Sequence, residues 1–111
     1  MNVDKIYLKD YEELALELAK IRYNDRIKSK YPCKYNFKHV EESLKQYIEG
    51  NLYYDIRTGK THFKDIILSE YSNTADIPKI DELTIEDVMW EFLNHVFSSA
   101  NAIMLYGGKV F

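Results

Sequence analysis

The stretch from Thr84 to Tyr106 constrains the fold more than any other part of the chain. At about 100° per residue, Ile85, Val88, Met89, Phe92, Val96 and Ile103 form one apolar stripe. Trp90, Leu93, Phe97, Ala100 and Met104 form a second stripe beside it. Asp87, Glu91, Asn94, Ser98 and Asn101 are left to the remaining arc. A helix that is apolar over more than half its circumference has to be covered on two sides. Thr84 with Asp87 three residues later is a capping-box-like start, and Glu86 and Asp87 suit the positive end of the helix dipole. Gly107-Gly108 supplies a stop. The spacing therefore predicts a central helix over 84–106, around which the rest of the core is built.

Two further helices are expected. Asp10, with Glu13 three residues on, predicts the start of a helix over 10–28. Tyr11, Leu14, Leu18 and Ile21 lie on one of its stripes, and Leu16, Ala19, Tyr23 and Ile27 on another. Arg22, Asp25 and Arg26 interrupt this pattern, so its C-terminal end is expected to leave the core. Asn36 caps a helix over 36–49, whose Phe37, Val40, Leu44, Tyr47 and Ile48 follow helical spacing, with Gly50 as the stop.

The period then falls to two. Leu52, Tyr54 and Ile56 alternate with Tyr53, Asp55 and Arg57, and Thr61 and Phe63 alternate with Lys60, His62 and Lys64. A small antiparallel β-hairpin over 52–68 follows, with Thr58-Gly59 as a two-residue loop that sets Asp55 opposite His62 and Tyr54 opposite Phe63. Residues 65–68 read either as an extension of its second strand or as a short helix. The N-terminal stretch 3–8 reads as a strand or an irregular lead-in. The expected architecture is α+β, three main helices with one hairpin, and all-α is the alternative if 60–71 is helical.

At 111 residues the chain is one domain, 1–111, large enough to bury a core without staples. Its 46% apolar and 30% charged residues describe a globular chain. One cysteine, Cys33, excludes an internal disulfide. No apolar run reaches the length of a membrane span, and charges break up residues 1–10, unlike a signal peptide. A cytoplasmic protein without membrane attachment is expected.

Catalytic and metal patterns fail on inspection. Gly59-Lys60-Thr61 resembles the end of a phosphate-binding loop, but the glycine required five residues earlier is Tyr54. His39 with Glu42, and Glu91 with His95, are pairs without further ligands. Cys33 has no orienting motif that would make it a nucleophile. No enzyme activity, metal or cofactor is expected.

Charge is the informative feature. Lys20, Arg22, Arg26, Lys28, Lys30, Lys34 and Lys38 fall within 20–40, with Asp25 as the single acid, in a chain whose net charge is −3. Tyr23, Tyr31, Tyr35 and Phe37 are interleaved with these cations. Glu70, Asp76, Asp81, Glu82, Glu86, Asp87 and Glu91 form an acidic counterpart against Lys79 alone. Tyrosine and arginine are favoured interface anchors, and opposite patches permit self-association into a homo-oligomer. The expected function is a small non-enzymatic protein-binding or regulatory accessory protein. Frequent Lys, Asn, Ile and Tyr, as AT-rich codons would give, fit a low-GC bacterium, its phages or another AT-rich genome, and the size and composition suit a phage or mobile-element protein acting on a larger host protein. Two alternatives use the same charges. Residues 20–39, read as Arg22, Tyr23, Arg26, Lys28, Lys30, Tyr31, Lys34, Tyr35 and Lys38, suit single-stranded nucleic acid. The acidic residues of 70–91 suit a DNA mimic that takes a basic protein.

Overall fold

The computed structural model describes residues 5–64, 66–69 and 84–107. Strand β1, Lys5–Tyr7, runs into a 3-10 turn over Leu8–Tyr11. Helix α1, Glu12–Ile27, and helix α2, Phe37–Glu49, follow. Strands β2, Tyr53–Asp55, β3, Lys60–Phe63, and β4, Ile66–Ser69, come next, and helix α3, Ile85–Tyr106, completes the described chain. The fold is α+β, three helices with a four-stranded antiparallel sheet in the order β1-β2-β3-β4.

Helix α3 is the centre of the core. Both of its stripes are buried, from Val88 and Met89 through Phe92, Leu93, Val96 and Phe97 to Ala100 and Ile103. The capping box is complete: Asp87 N donates to Thr84 Oγ1 at 3.1 Å and Thr84 N donates to Asp87 Oδ2 at 3.1 Å. Gly107, at φ 77°, ends the helix with its N–H on the Ile103 carbonyl. Thr84→Ala is expected to cost about 1 kcal/mol. Urea denaturation checks this, and an unchanged midpoint would show that the cap contributes nothing.

Helices α1 and α2 both pack on α3. Two buried hydroxyls join α2 to α3. Ser43 Oγ donates to the Val96 carbonyl at 2.8 Å, and the Tyr47 hydroxyl shares a 2.6 Å bond with Ser99 Oγ. A serine on each helix brings the backbones close while each hydroxyl stays satisfied. Helix α1 contributes Ala15, Leu18 and Ala19, and its far end leaves the core as its charges imply, with Ile21 and Ile27 exposed.

The structure corrects three local expectations. Asp10 does not cap α1. It lies in the 3-10 turn, and α1 starts at Glu12 without a side-chain cap, because Leu8 is drawn into the core and pulls the preceding turn tight. The left-handed residue after α2 is Asn51, at φ 58°, and not Gly50. Asn51 N bonds to the Ile48 carbonyl and Leu52 N to the Tyr47 carbonyl, the paired bonds of a Schellman ending. The β2–β3 loop holds four residues, not two. Asp55 is paired with Lys60, Tyr54 with Thr61, and Tyr53 with His62. Gly59, at φ 69°, closes this loop onto the Asp55 carbonyl, and Asp55 Oδ1 accepts from Arg57 N. The register slips by two residues, so every side chain keeps its expected face. Leu52, Tyr54, Thr61 and Phe63 are buried with Ile6 from β1. The region beyond β3 is strand and not helix: the chain bends at Lys64, φ 55°, and β4 pairs back on β3.

Candidate functional site: a basic cleft between α1 and α3

The loop between α1 and α2 is held by aromatic packing. The Tyr35 ring is buried, 5% exposed, and meets Phe97 of α3 edge-on at 6.1 Å. Tyr23 lies between Tyr35 and Phe37, at 6.5 and 5.5 Å between ring centres. The backbone carbonyl of Tyr35 accepts from the Tyr23 hydroxyl at 3.4 Å and from Cys33 Sγ at 3.7 Å. The basic loop therefore has a fixed course, set by residues that read as interface aromatics in the sequence. Tyr23 and Tyr35 are scaffold, whereas Tyr31 is 80% exposed with Lys30 Nζ 5.7 Å from its ring centre.

That course closes a cleft of about 470 Å³ against α3. Arg22 and Arg26 line one wall, the loop from Tyr31 to Tyr35 a second, and Asn94, Phe97, Ser98 and Asn101 of α3 the third. Arg22 lies with its guanidinium carbon 5.3 Å from the Phe97 ring centre and 5.9 Å from that of Trp90, and its Nη1 donates to Asn94 Oδ1 at 2.8 Å. Burial lowers the Arg22 pKa below its ordinary value, and the neighbouring Arg26 charge adds to this. Among the described residues no carboxylate lines the cleft and neither arginine forms an ion pair.

The floor carries an unpartnered donor. The Tyr35 hydroxyl is buried and makes no hydrogen bond of good geometry among the described residues, although the Cys33 thiol lies close enough to favour its protonated form. Burial, reinforced by Cys33, pushes its pKa up to about 12, so it keeps its proton at neutral pH.

No family model matches the chain, and neither a curated protein nor a solved structure is significantly similar to it.

The remaining predicted positions disperse. Lys34 lines the cleft, while Lys28 and Lys30 are exposed beside it. Lys38 belongs to another surface, a shallow groove along the outer side of α2 shared with Glu41, Glu42, Lys45, Gln46 and Glu49. Of the acidic patch, Glu70, Asp76, Asp81 and Glu82 lie outside the described residues. The other three have local contacts. Glu86 accepts from Trp90 Nε1 at 3.3 Å, Asp87 forms the capping box, and Glu91 is 3.6 Å from His95. His39 serves as a helix start, its Nδ1 accepting from Asn36 N at 3.2 Å. Among the described residues no group of three His, Cys, Asp or Glu side chains is placed to hold a metal, and no helix is long and apolar enough to cross a membrane.

Nothing in the local pattern marks Asn94, Ser98 and Asn101 as part of the site. They read as the solvent arc of α3. Their shared helical spacing places them along one line, but only the fold brings Arg22 across to it.

Proposed function

We propose that the protein is a non-enzymatic recognition domain that binds an acidic region of a partner protein through the face built by α1 and the 28–35 loop. One observation carries this reading: Arg22 and Arg26 share a preformed cleft in which, among the described residues, no carboxylate forms an ion pair with either. Two nearby cations raise each other's energy, and an anionic partner lowers it. Exposed Tyr31, with Lys30 beside it, supplies a rigid aromatic anchor at the rim. Single-stranded nucleic acid gains no comparable support. The aromatic faces needed for stacking are mostly turned inward, with Tyr23 and Tyr35 holding the loop.

The test is affinity capture from the native host's lysate, with and without nuclease, comparing the parent with Arg26→Glu/Lys30→Glu. Both side chains are exposed, so the domain should keep its circular dichroism and melting temperature. Capture of a nuclease-resistant protein should fall at least tenfold in the variant, roughly the effect of reversing two contacting charges. Undiminished capture would eliminate the basic face as the contact, and recovery that vanishes with nuclease would transfer the face to nucleic acid.

A further inference from the structure

The cleft is more selective than a general basic surface. Its two guanidiniums lie on one side, the amide and hydroxyl side chains of α3 on the other, and the buried Tyr35 phenol lacks a partner of good geometry among the described residues. A buried donor left unpaired costs stability unless something accepts from it. Arg22 already spends one N–H on Asn94, which fixes the plane of its guanidinium while the other N–H groups stay available. Asp25 lines an adjacent hollow with Arg22 and Arg26, yet makes no ion pair with either, so one carboxylate stands outside two cations.

We propose that this cleft is a phosphate-monoester site, with Arg22 and Arg26 on the phosphate oxygens and the Tyr35 hydroxyl donating from the floor. The proposal rests on the partner-binding reading and names the group which that face selects. A phosphate is favoured over a carboxylate by count. It brings close to two negative charges and three acceptor oxygens to two guanidiniums and a phenol, whereas a carboxylate neutralises one cation and has two oxygens. The Tyr35 oxygen is covered by its neighbours, so a ligand oxygen reaches it only when they give way, and Cys33 lines the same cleft. Cys33 is the chain's one cysteine and therefore an internal reporter. The phosphate arrives either on a phosphorylated side chain of the partner or on a free small molecule.

Calorimetric titration of the full chain with phenyl phosphate, benzoate and a short phosphotyrosine peptide tests the proposal. Phenyl phosphate should bind saturably at one site and slow iodoacetamide alkylation of Cys33. Benzoate should bind roughly tenfold more weakly. Arg26→Gln, an exposed position, should weaken phenyl phosphate roughly tenfold without altering the fold. Tyr35→Phe should weaken it severalfold while raising the melting temperature, a combination that a purely structural tyrosine does not give. A peptide that binds much more tightly than phenyl phosphate assigns the phosphate to a protein partner, and equal affinities assign it to a free monoester. Absence of saturable binding at millimolar concentration, benzoate binding as tightly as phenyl phosphate, or full affinity in Arg26→Gln would overturn the site. If those results appear while Arg26→Glu/Lys30→Glu still abolishes capture, the protein-contact reading stands and the phosphate assignment alone falls.

Discussion

Gly50→Ala should destabilise the domain by about 2–3 kcal/mol, although alanine is the better helix former by about 1 kcal/mol. Gly50 has φ −86°, a conformation open to any residue, so its backbone does not require glycine. Its neighbour does. A Cβ at residue 50 would lie 2.6 Å from Cζ and 2.9 Å from Cδ1 of the Phe63 ring. That ring cannot step aside. It is 1% exposed and packs on Tyr47 at 4.8 Å between ring centres. Lys64 N also donates to the Gly50 carbonyl at 3.2 Å, so the end of α2 and the end of β3 are drawn together at this point. Inserting a methyl group there separates the sheet from the helices, and such overpacking exceeds the propensity gain. Denaturant titration of Gly50→Ala, Phe63→Leu and the double variant checks the mechanism. Shrinking the ring makes room for the methyl, so the double variant should lose clearly less than the sum of the singles. Strictly additive losses would place the cost elsewhere.

Gly50 also illustrates what a sequence conceals. A glycine after an apolar helix reads as a left-handed stop, and the helix does end there. The left-handed residue is nevertheless Asn51, and the glycine serves a contact made thirteen positions later. What the sequence made legible was local. The capping box of Thr84 and Asp87, the stripes of α3 and the apolar spacing of α2 all arise from residues within a few positions of one another, and they appear as expected. The alternation of 52–63 likewise marked the buried sheet face, and the two-residue slip left that face unchanged. Strands β1 and β4 were ambiguous because three or four residues are too few to set a period of two apart from one of 3.6. They become strands only because β2 and β3 offer them edges. The same division applies to the cleft. The run of cations was plain in the sequence, but their meeting with Asn94 spans 72 positions and depends on how α1 crosses α3. No local pattern distinguished Tyr35, a floor residue, from Tyr31, an exposed one, since both sit among lysines in the same loop.

Stability should fall steeply as pH rises above 10, and Tyr35 should account for a measurable share of that fall. An unfolded tyrosine loses its proton near pH 10, whereas folded Tyr35 holds it up to about 12 because burial disfavours the phenolate. Between those values the folded chain binds more protons than the unfolded one. The derivative of unfolding free energy with pH is then negative, about −1.4 kcal/mol per pH unit for each such group. The stabilisation is fully present below pH 10 and is lost through the window up to about 12. Burial also raises Tyr47, and its bond to Ser99 Oγ partly offsets the rise, so Tyr47 contributes with the same sign. Urea titrations at a series of pH values from 8 to 11 give the slope directly. Tyr35→Phe removes one titrating phenol and leaves the ring on Phe97 intact, so the alkaline slope should flatten. At neutral pH the same variant should gain about 1 kcal/mol, because it deletes a buried hydroxyl that has no partner among the described residues. Tyr47→Phe should flatten the slope too, but it should cost about 1 kcal/mol at neutral pH, since it strips Ser99 of its buried partner. The two variants thus agree at alkaline pH and oppose each other at neutral pH. That opposition separates a hydroxyl kept for the fold from one kept in the cleft. If both variants lose stability at neutral pH, Tyr35 has an internal partner and the cleft has no unpaired donor to offer a ligand.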